Sequence, residues 1–134
     1  MILAIDPGNE KTGIAVIATD SSLVEKAICA TADLTIVITD MLSLYNEIST
    51  IVMGNGTNHR TLYPLIEAVA QKRHKKMCLV NEAHTTEEAR KRYWVYHPPK
   101  GLKRLIPLGM QFPPEPVDDF TAWIIGERYL DSLK

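Results

Sequence analysis

Two short apolar segments at the start of the sequence, separated by a turn, constrain the fold more than any other feature. Residues 1–6 and 13–19 are rich in Ile, Val, Leu and Ala, and the residues between them include Pro, Gly and Asn. Apolar segments of this length that are bounded by turn residues predict β-strands. Because the connection is short, the two strands are expected to pair antiparallel. The first strand ends in Asp6, an acid at the edge of the predicted sheet.

The remaining apolar segments predict further strands followed by strand–helix units. Strands are predicted over residues 23–30, 49–53 and 77–80, and helical spacing is found over residues 34–48, 62–69, 85–94 and 116–130. Asp33 is the predicted N-cap of the first helix, and Pro64 is expected in the first turn of the second. Thr85 and Glu88 have capping-box spacing at the start of the third helix.

The order of these elements predicts an α/β fold with a mixed five-stranded sheet and helices on its faces. The three early strands have short connections and favour antiparallel pairing, while the later strand–helix–strand units favour parallel additions through right-handed crossovers. A length of 134 residues favours a single domain over residues 1–134 rather than two small ones.

Composition excludes several classes of protein. The chain is 46% hydrophobic and 23% charged, which excludes a wholly disordered or collagen-like chain. No apolar run reaches the ~18 residues that a membrane span needs, and no basic region precedes the first run as in a signal peptide. Cys29 and Cys78 both lie in apolar runs and are expected to be reduced, buried residues. We therefore expect a cytoplasmic protein without a membrane partner.

Charge is distributed unevenly along the chain, although the net charge is only -1. Residues 71–104 contain ten Lys and Arg against three Asp and Glu, whereas the rest of the chain contains five against thirteen. A basic segment beside an acidic remainder is compatible with nucleic-acid binding. It is equally compatible with a solvated loop and a charged helix face. Residues 97–116, with six prolines and two glycines, are expected to lack regular structure.

Acidic residues lie where predicted elements begin or end. Asp6 closes the first strand, Glu82 follows the fifth strand, and Asp118 and Asp119 open the last helix. If the first and fifth strands run parallel to the fourth, these acids converge at one edge of the sheet. Clustered carboxylates raise one another's pKa and are tolerated when divalent cations neutralise them. Each acid alone fits an ordinary turn or helix start, so only their conjunction is informative.

The chemistry of such an acidic cluster narrows the metals and reactions. Hard oxygen ligands without a Cys/His set favour Mg²⁺ or Mn²⁺ over zinc. Two such ions about 3.5–4 Å apart activate a water and stabilise the leaving oxygen in phosphodiester cleavage.

Four segments of the chain resemble the RNase H-like superfamily, and within it the RuvC-type Holliday junction resolvases and their YqgF-type relatives. They occur in the order of the family: residues 2–8 (ILAIDPG) with Thr12 and Gly13, residues 51–57 (IVMGNGT), residues 81–89 (NEAHTTEEA) and residues 117–122 (VDDFTA). The resemblance implies an RNase H-like fold with sheet order 3-2-1-4-5 and the activity of a metal-dependent nuclease. It also implies binding of two Mg²⁺ or Mn²⁺ ions.

The resemblance assigns the catalytic role to Asp6, Glu82, Asp118 and Asp119, of which the first three are the implied metal ligands. Asp119 is the reserve for Asp118, because adjacent helical side chains point about 100° apart. The chain departs from the family pattern at three places: Asn81 stands where YqgF-type proteins have Asp, Ala83 where they have Arg, and Thr121 where RuvC-type helices often carry a second acid.

The resemblance implies a structured nucleic acid as substrate, cut by a monomer or a homodimer. YqgF-type proteins are implicated in maturing the small-subunit ribosomal RNA precursor, and RuvC-type proteins cut four-way DNA junctions. One alternative is a non-catalytic nucleic-acid-binding domain of the same fold. Another is a phosphotransferase related to the actin–hexokinase superfamily, which needs two such domains where this chain supplies one.

Basic and aromatic residues supply the candidate substrate contacts. Candidates for phosphate contacts are Lys11, Arg60, Arg90, Lys91, Lys100, Lys103 and Arg104. Tyr93, Trp94 and Tyr96 are candidates for stacking on unpaired bases or, alternatively, for packing beneath the proline-rich loop. Trp123 is expected in the core.

Overall fold

The computed structural model describes residues 1–105, 107, 113 and 116–134. These residues form five strands and four helices, in the order β1 (Ile2–Asp6), β2 (Lys11–Ile17), β3 (Leu23–Ala30), α1 (Leu34–Leu44), β4 (Thr50–Gly54), α2 (His59–Lys72), β5 (Lys76–Val80), α3 (Thr85–Tyr96) and α4 (Asp118–Ser132). Short 3-10 turns occupy Thr31–Asp33 and Gly101–Leu105.

All five strands belong to one sheet with the order β3-β2-β1-β4-β5. β1 pairs antiparallel with β2, and β2 with β3. β4 pairs parallel with β1, and β5 with β4. The predicted mixed sheet, its order and its strand directions are therefore confirmed. Because β1, β4 and β5 run in the same direction, their carboxyl ends share one edge of the sheet.

The alternation of side chains along each strand divides the core into two clusters, one on each face of the sheet. Leu3 and Ile5 of β1 pack with α1 and α2, whereas Ile2 and Ala4 pack with α3 and α4. Asp6 continues the second series, so the strand period places its side chain on the face that α3 and α4 cover.

Helix α4 lies closely against the centre of this face. The residues from Asp119 to Gly126 are all buried, and Trp123 is only 9% exposed, in agreement with its expected place in the core. A Cβ at Gly126 would overlap the Ile17 side chain and approach Ala4 of β1. The missing side chain at Gly126 therefore lets the helix approach β1 and β2.

Several local predictions differ from the structure. α2 begins at His59, so the placement of Pro64 in its first turn is wrong; Pro64 is the sixth helical residue and is exposed. The predicted capping box is also wrong, because His84 occupies the N-cap position and Thr85 is the first helical residue. Asp33 does precede α1, but its side chain makes no capping hydrogen bond.

The proline-rich segment and the two cysteines also differ in part from their predicted structure. Within residues 97–116, predicted to be irregular, Gly101–Leu105 forms a 3-10 turn, and most of the later residues lie outside the described part. Cys29 and Cys78 are free and only half-buried, which is less burial than expected. In the described ranges, no helix has the length and apolar character needed to cross a membrane.

Candidate active site

Asp6 is fixed at the carboxyl edge of the sheet by its strand and by the turn that follows. It pairs with Gly13 across the β1–β2 ladder. The carbonyl oxygen of Gly8, two residues beyond Asp6, accepts hydrogen bonds from Thr31 Oγ1 at 2.9 Å and Asn58 Nδ2 at 3.1 Å. Side chains from two distant segments thus hold the Asp-Pro-Gly turn in place.

Glu82 lies two residues beyond β5, and its carboxylate occupies space that two glycines leave open. A Cβ at Gly54 would overlap Glu82 Oε2, and a Cβ at Gly56 would overlap Oε1. The backbone N–H of Glu82 donates to Asn55 Oδ1 at 3.2 Å, while the N–H of Asn55 donates to the Val80 carbonyl at 3.0 Å. The Glu82 carboxylate therefore packs directly against the glycine-containing loop after β4.

Asp118 and Asp119 open α4 but have different surroundings. Gly13 lets the first helical turn approach β2, because a Cβ there would overlap the Asp118 carbonyl oxygen. The Asp118 carboxylate lies close enough to Asp6 to raise the pKa of that residue by its charge. Asp119 is buried, and its Oδ2 lies 2.6 Å from Lys26 Nζ of β3. Of the two neighbours, Asp118 is thus the one that joins Asp6.

Crowding of negative charge perturbs the titration of these acids. The pKa of Asp6 rises to about 8, first because burial desolvates it, then because Glu82 and Asp118 are negatively charged, and finally through a hydrogen bond with Glu82. Burial also raises the pKa of Glu82, against the hydrogen bond with Asp6 and the nearby charges of His59 and Arg128. Asp6 and Glu82 therefore form a carboxyl pair that shares a proton near neutral pH.

Asp118 shows the same kind of perturbation from other neighbours. Burial and the charge of Asp119 raise the pKa of Asp118, and the charge of Lys11 lowers it. The structure thus brings together three of the four predicted catalytic acids, Asp6, Glu82 and Asp118. It places the fourth, Asp119, in an ion pair with Lys26.

The donor chemistry of the three acids fits a divalent cation, although their side chains are not arranged around one. Glu82 Oε2 is buried and has no hydrogen-bond partner in the part of the chain that the structure describes. A cation there would satisfy this oxygen and relieve the repulsion that raises the pKa of Asp6. Among the described side chains, however, no group of three His, Cys, Asp or Glu residues has metal-binding geometry.

The predicted phosphate-contact residues are spread over the surface. Lys11 is exposed, and its charge acts on Asp118, which places it nearest to the acids. Exposed side chains are also found at Arg60, Arg90, Lys91, Lys100 and Arg104, whereas the side chain of Lys103 lies outside the described residues. Of the candidate stacking residues, Tyr93 is buried, Trp94 is half-buried, and Tyr96 is 56% exposed.

Three charged or titratable neighbours of the acids were not predicted from the sequence. Lys26 is separated by 93 positions from its partner Asp119. His59 lies beside the glycine loop, with Nδ1 at 2.6 Å from the Gly56 carbonyl oxygen. Arg128 of α4 donates to the Asn81 carbonyl at 3.0 Å. No local motif in the sequence marks these residues. The one local signal is the pair of glycines at positions 54 and 56, which is typical of a loop that another group approaches closely.

Comparison with known proteins gives a structural match. No protein-family model matches the sequence, and no curated protein matches it significantly. The chain is similar to the structure of Thermus thermophilus RuvC, with a TM-score of 0.60 and 13% identity, over 92% of this chain and 88% of that one. A Cytophaga hutchinsonii structure described as a sugar kinase matches at a TM-score of 0.49 and 15% identity, over 79% of this chain and 42% of that one, which is too weak to support an argument.

The chain therefore has a RuvC-like RNase H-like fold, as the four sequence segments indicated. A likeness at 13% identity shows the fold alone, because one fold supports many functions. The closer likeness to YqgF-type proteins stays a prediction. Function has to be argued from the acids themselves.

Proposed function

We propose that the protein is a divalent-metal-dependent nuclease that hydrolyses phosphodiester bonds in structured nucleic acid. The observation that carries this proposal is the convergence of Asp6, Glu82 and Asp118 at the carboxyl edge of the sheet, where burial and the charges of Glu82 and Asp118 raise the pKa of Asp6. The RuvC-like fold supports it, since the acids lie at the ends of β1 and β5 and at the start of α4. A half-buried cluster of this kind costs stability unless a positive ligand enters it.

The roles of the residues follow from their positions. Asp6, Glu82 and Asp118 would hold one or two Mg²⁺ or Mn²⁺ ions, with Asp119 kept away by Lys26. Bound divalent ions supply an activated water and stabilise the leaving oxygen. Lys11 neutralises part of the charge of Asp118 and is placed to contact a phosphate beside the acids. Gly54 and Gly56 keep the Glu82 carboxylate at the sheet edge.

The substrate class is a structured nucleic acid, either a ribosomal RNA precursor or a branched DNA. The exposed basic residues of α3 and the following 3-10 turn provide positive charge for a polyanion. Contacts of these residues with the phosphate backbone would carry no base specificity, so the experiment includes both RNA and DNA substrates.

A non-catalytic nucleic-acid-binding domain is the second candidate, favoured by two observations. No three acids in the described ranges are already arranged as metal ligands. The position three residues after Asp118 is also occupied by Thr121 rather than an acid. This candidate predicts salt-sensitive binding without cleavage in any divalent metal.

The deciding experiment compares the unmodified protein with Glu82→Gln on labelled four-way DNA junctions and folded RNAs in Mg²⁺ and Mn²⁺. Glu87→Gln is the matched control, because Glu87 is an exposed acid in the first turn of α3. We expect cleavage by the unmodified protein and the control and none by Glu82→Gln. Equal turnover by Glu82→Gln would exclude the role of this residue, and binding without cleavage would favour the second candidate.

A readout that does not depend on activity complements this test. Titration of Mn²⁺ followed by electron paramagnetic resonance measures ion binding directly. We expect weaker binding in Glu82→Gln and Asp6→Asn, and unchanged binding in Glu87→Gln. Equal Mn²⁺ affinity in all four proteins would contradict the assigned ligands.

A further inference from the structure

A groove lined by aromatic side chains lies on the face of the sheet that α3 and α4 cover. One cavity of about 640 Å³ lies between β3, the end of α3 and the start of α4, and a second of about 410 Å³ lies between α3 and α4. Tyr96 and Trp123 line both cavities, so the two form one groove, which we call the Tyr96 groove. Its other lining residues include Lys26, His97, Phe120 and Arg92.

The Tyr96 groove lies on the same face of the sheet as the acids but extends away from them. Lys26, which lines it, holds Asp119 at 2.6 Å, and Asp119 is the neighbour of Asp118. Leu23, at the far side of the groove, is level with Ile2 through the strand register, four residues of β1 or about 13 Å from Asp6. A strand bound at the acids would therefore reach the groove after a few nucleotides.

Tyr96 is the aromatic surface that this groove offers to a ligand. Its ring is 56% exposed, while Phe120 and Trp123 behind it are almost completely buried. The Tyr96 ring centroid lies 5.8 Å from Phe120 and 5.9 Å from Trp123, with interplanar angles of 32° and 35°. Buried rings thus support one exposed ring, and a supported ring loses little conformational entropy on binding.

Polar and cation–π contacts hold the aromatic rings that form the floor of the groove, those of Trp123 and Phe120. Trp123 Nε1 donates to the Ser21 carbonyl at 3.2 Å, and the Arg92 guanidinium lies 4.5 Å from the centre of the indole ring. The Lys26 ammonium lies 4.5 Å from the centre of the Phe120 ring. These contacts therefore fix the orientation of the Trp123 and Phe120 rings before any ligand binds.

Charge indicates which ligand fits this surface. Lys91 lines the groove and is exposed, the acid beside it, Glu88, is paired with Arg128 at 3.1 Å, and the exposed Lys100 follows the end of α3. An apolar peptide would need no such cations, whereas a nucleic-acid strand presents stacking bases and a negative backbone together. Duplex bases are stacked on each other and do not offer their faces, so the groove suits an unpaired strand.

We propose that the Tyr96 groove binds an unpaired nucleic-acid segment a few nucleotides from the cleavage position, with a base stacked on Tyr96 and the backbone facing Lys91. This inference rests on the proposed function, which it deepens by naming the feature of the substrate that is recognised. Unpaired bases occur in RNA loops and in branched DNA, so the experiment compares RNA with DNA.

The test measures affinity for fluorescein-labelled twelve-nucleotide RNA and DNA single strands, and for duplexes of the same sequence, in EDTA to prevent cleavage. The variants are Tyr96→Ala, Tyr96→Phe and the control Leu65→Ala, an apolar residue of similar exposure on α2. We expect Tyr96→Ala to weaken single-strand binding about 5- to 150-fold, as for loss of one stacked base. We expect Tyr96→Phe and Leu65→Ala to bind as the unmodified protein does, and duplex affinity to be unchanged.

Several results would overturn the groove assignment. They are unchanged single-strand affinity in Tyr96→Ala, an equal loss in Tyr96→Phe, or no single-strand binding by the unmodified protein. If Asp6→Asn loses cleavage while Tyr96→Ala binds normally, the groove assignment fails and the proposed hydrolysis stands. If binding depends on Tyr96 in a protein that never cleaves, the groove stands and the proposed hydrolysis fails.

Discussion

The two faces of the sheet are built on different physical principles. The face covered by α1 and α2 packs Leu3, Ile5 and Ile51 in a cluster of apolar side chains. The face covered by α3 and α4 also has an apolar core, but the three candidate acids lie at its edge. Four ion pairs each have one partner in α4. The face covered by α1 and α2 thus stabilises the fold, whereas clustered charge at the edge of the face covered by α3 and α4 lowers the stability.

The largest effect is expected from separating the two adjacent aspartates on the charged face. Asp118→Asn should lower kcat by more than about hundredfold, since removing a ligand costs more than removing its supporting partner. Asp119→Asn should lower kcat by less, about 10- to 100-fold, because Asp119 is held by Lys26 and acts on the site through its charge on Asp118. Steady-state cleavage assays at saturating Mg²⁺ measure both. Equal losses would mean that Asp119 also reaches the metal.

A substitution on the apolar face should act on stability alone. Ile51 is fully buried in β4, and Ile51→Ala should lower the free energy of unfolding by about 2–5 kcal/mol. Ile36→Ala is the control, because Ile36 is 65% exposed on α1 and should change that free energy by less than about 0.5 kcal/mol. Urea unfolding followed by circular dichroism measures both. A change in kcat of folded Ile51→Ala would contradict the separation of the two faces.

The charged face should also give the metal-free protein an unusual pH dependence. The pKa of Asp6 is raised to about 8 in the fold, so the folded state retains a proton that the unfolded chain releases near pH 4. Stability should therefore be greatest at low pH for this group and fall as pH rises from about 4 to about 8, by at most about 1.4 kcal/mol per pH unit.

Thermal unfolding in EDTA across this pH range checks the pH prediction. Asp6→Asn should flatten the fall, and saturating Mg²⁺ should offset it near pH 8, since the ion binds the folded state. A stability that rises between pH 4 and pH 8 in the unmodified protein and in Asp6→Asn alike would contradict the assignment to Asp6.

The smallest effects are expected at the ion pairs of α4. Lys26→Met leaves Asp119 buried without its partner and should cost about 1–2 kcal/mol, a partial desolvation penalty because Lys26 is itself partly exposed. Lys134→Ala breaks a fully solvated pair with Asp131 and should change stability by less than about 0.5 kcal/mol. Parallel urea titrations compare the two. Equal costs would mean that burial adds nothing to the Lys26–Asp119 pair.

Local sequence patterns were sufficient for the sheet but less so for its connections. Strand segments were predicted because short apolar runs and turn residues are local signals, and β3 was placed with its correct bounds at Leu23–Ala30. The capping box at the start of α3 was wrong because the N-cap residue is His84, whose backbone is left-handed with φ 64°, a conformation that a histidine in the sequence does not indicate. Thr85 Oγ1 donates instead to the Glu82 carbonyl, at 2.7 Å.

The acids of the candidate site were predictable because strand ends mark where side chains converge. The difference between Asp118 and Asp119 was only partly predictable from helical geometry. Its decisive cause is Lys26, which meets Asp119 only after β3 and α4 pack together. Likewise, the space for Glu82 depends on Gly54 and Gly56 lying beneath it, which is a tertiary contact. Long-range contacts of this kind leave no periodic signal along the chain.

The close approach of α4 to Gly13 has a consequence for the order in which the protein is made. Asp6 leaves the ribosome 112 residues before Asp118. All five strands of the sheet consist of residues that precede α4. A growing chain can therefore assemble its scaffold while its acids are still incomplete, and α4 supplies the final one only when it docks. If the proposed function holds, synthesis itself would keep the nascent chain inactive.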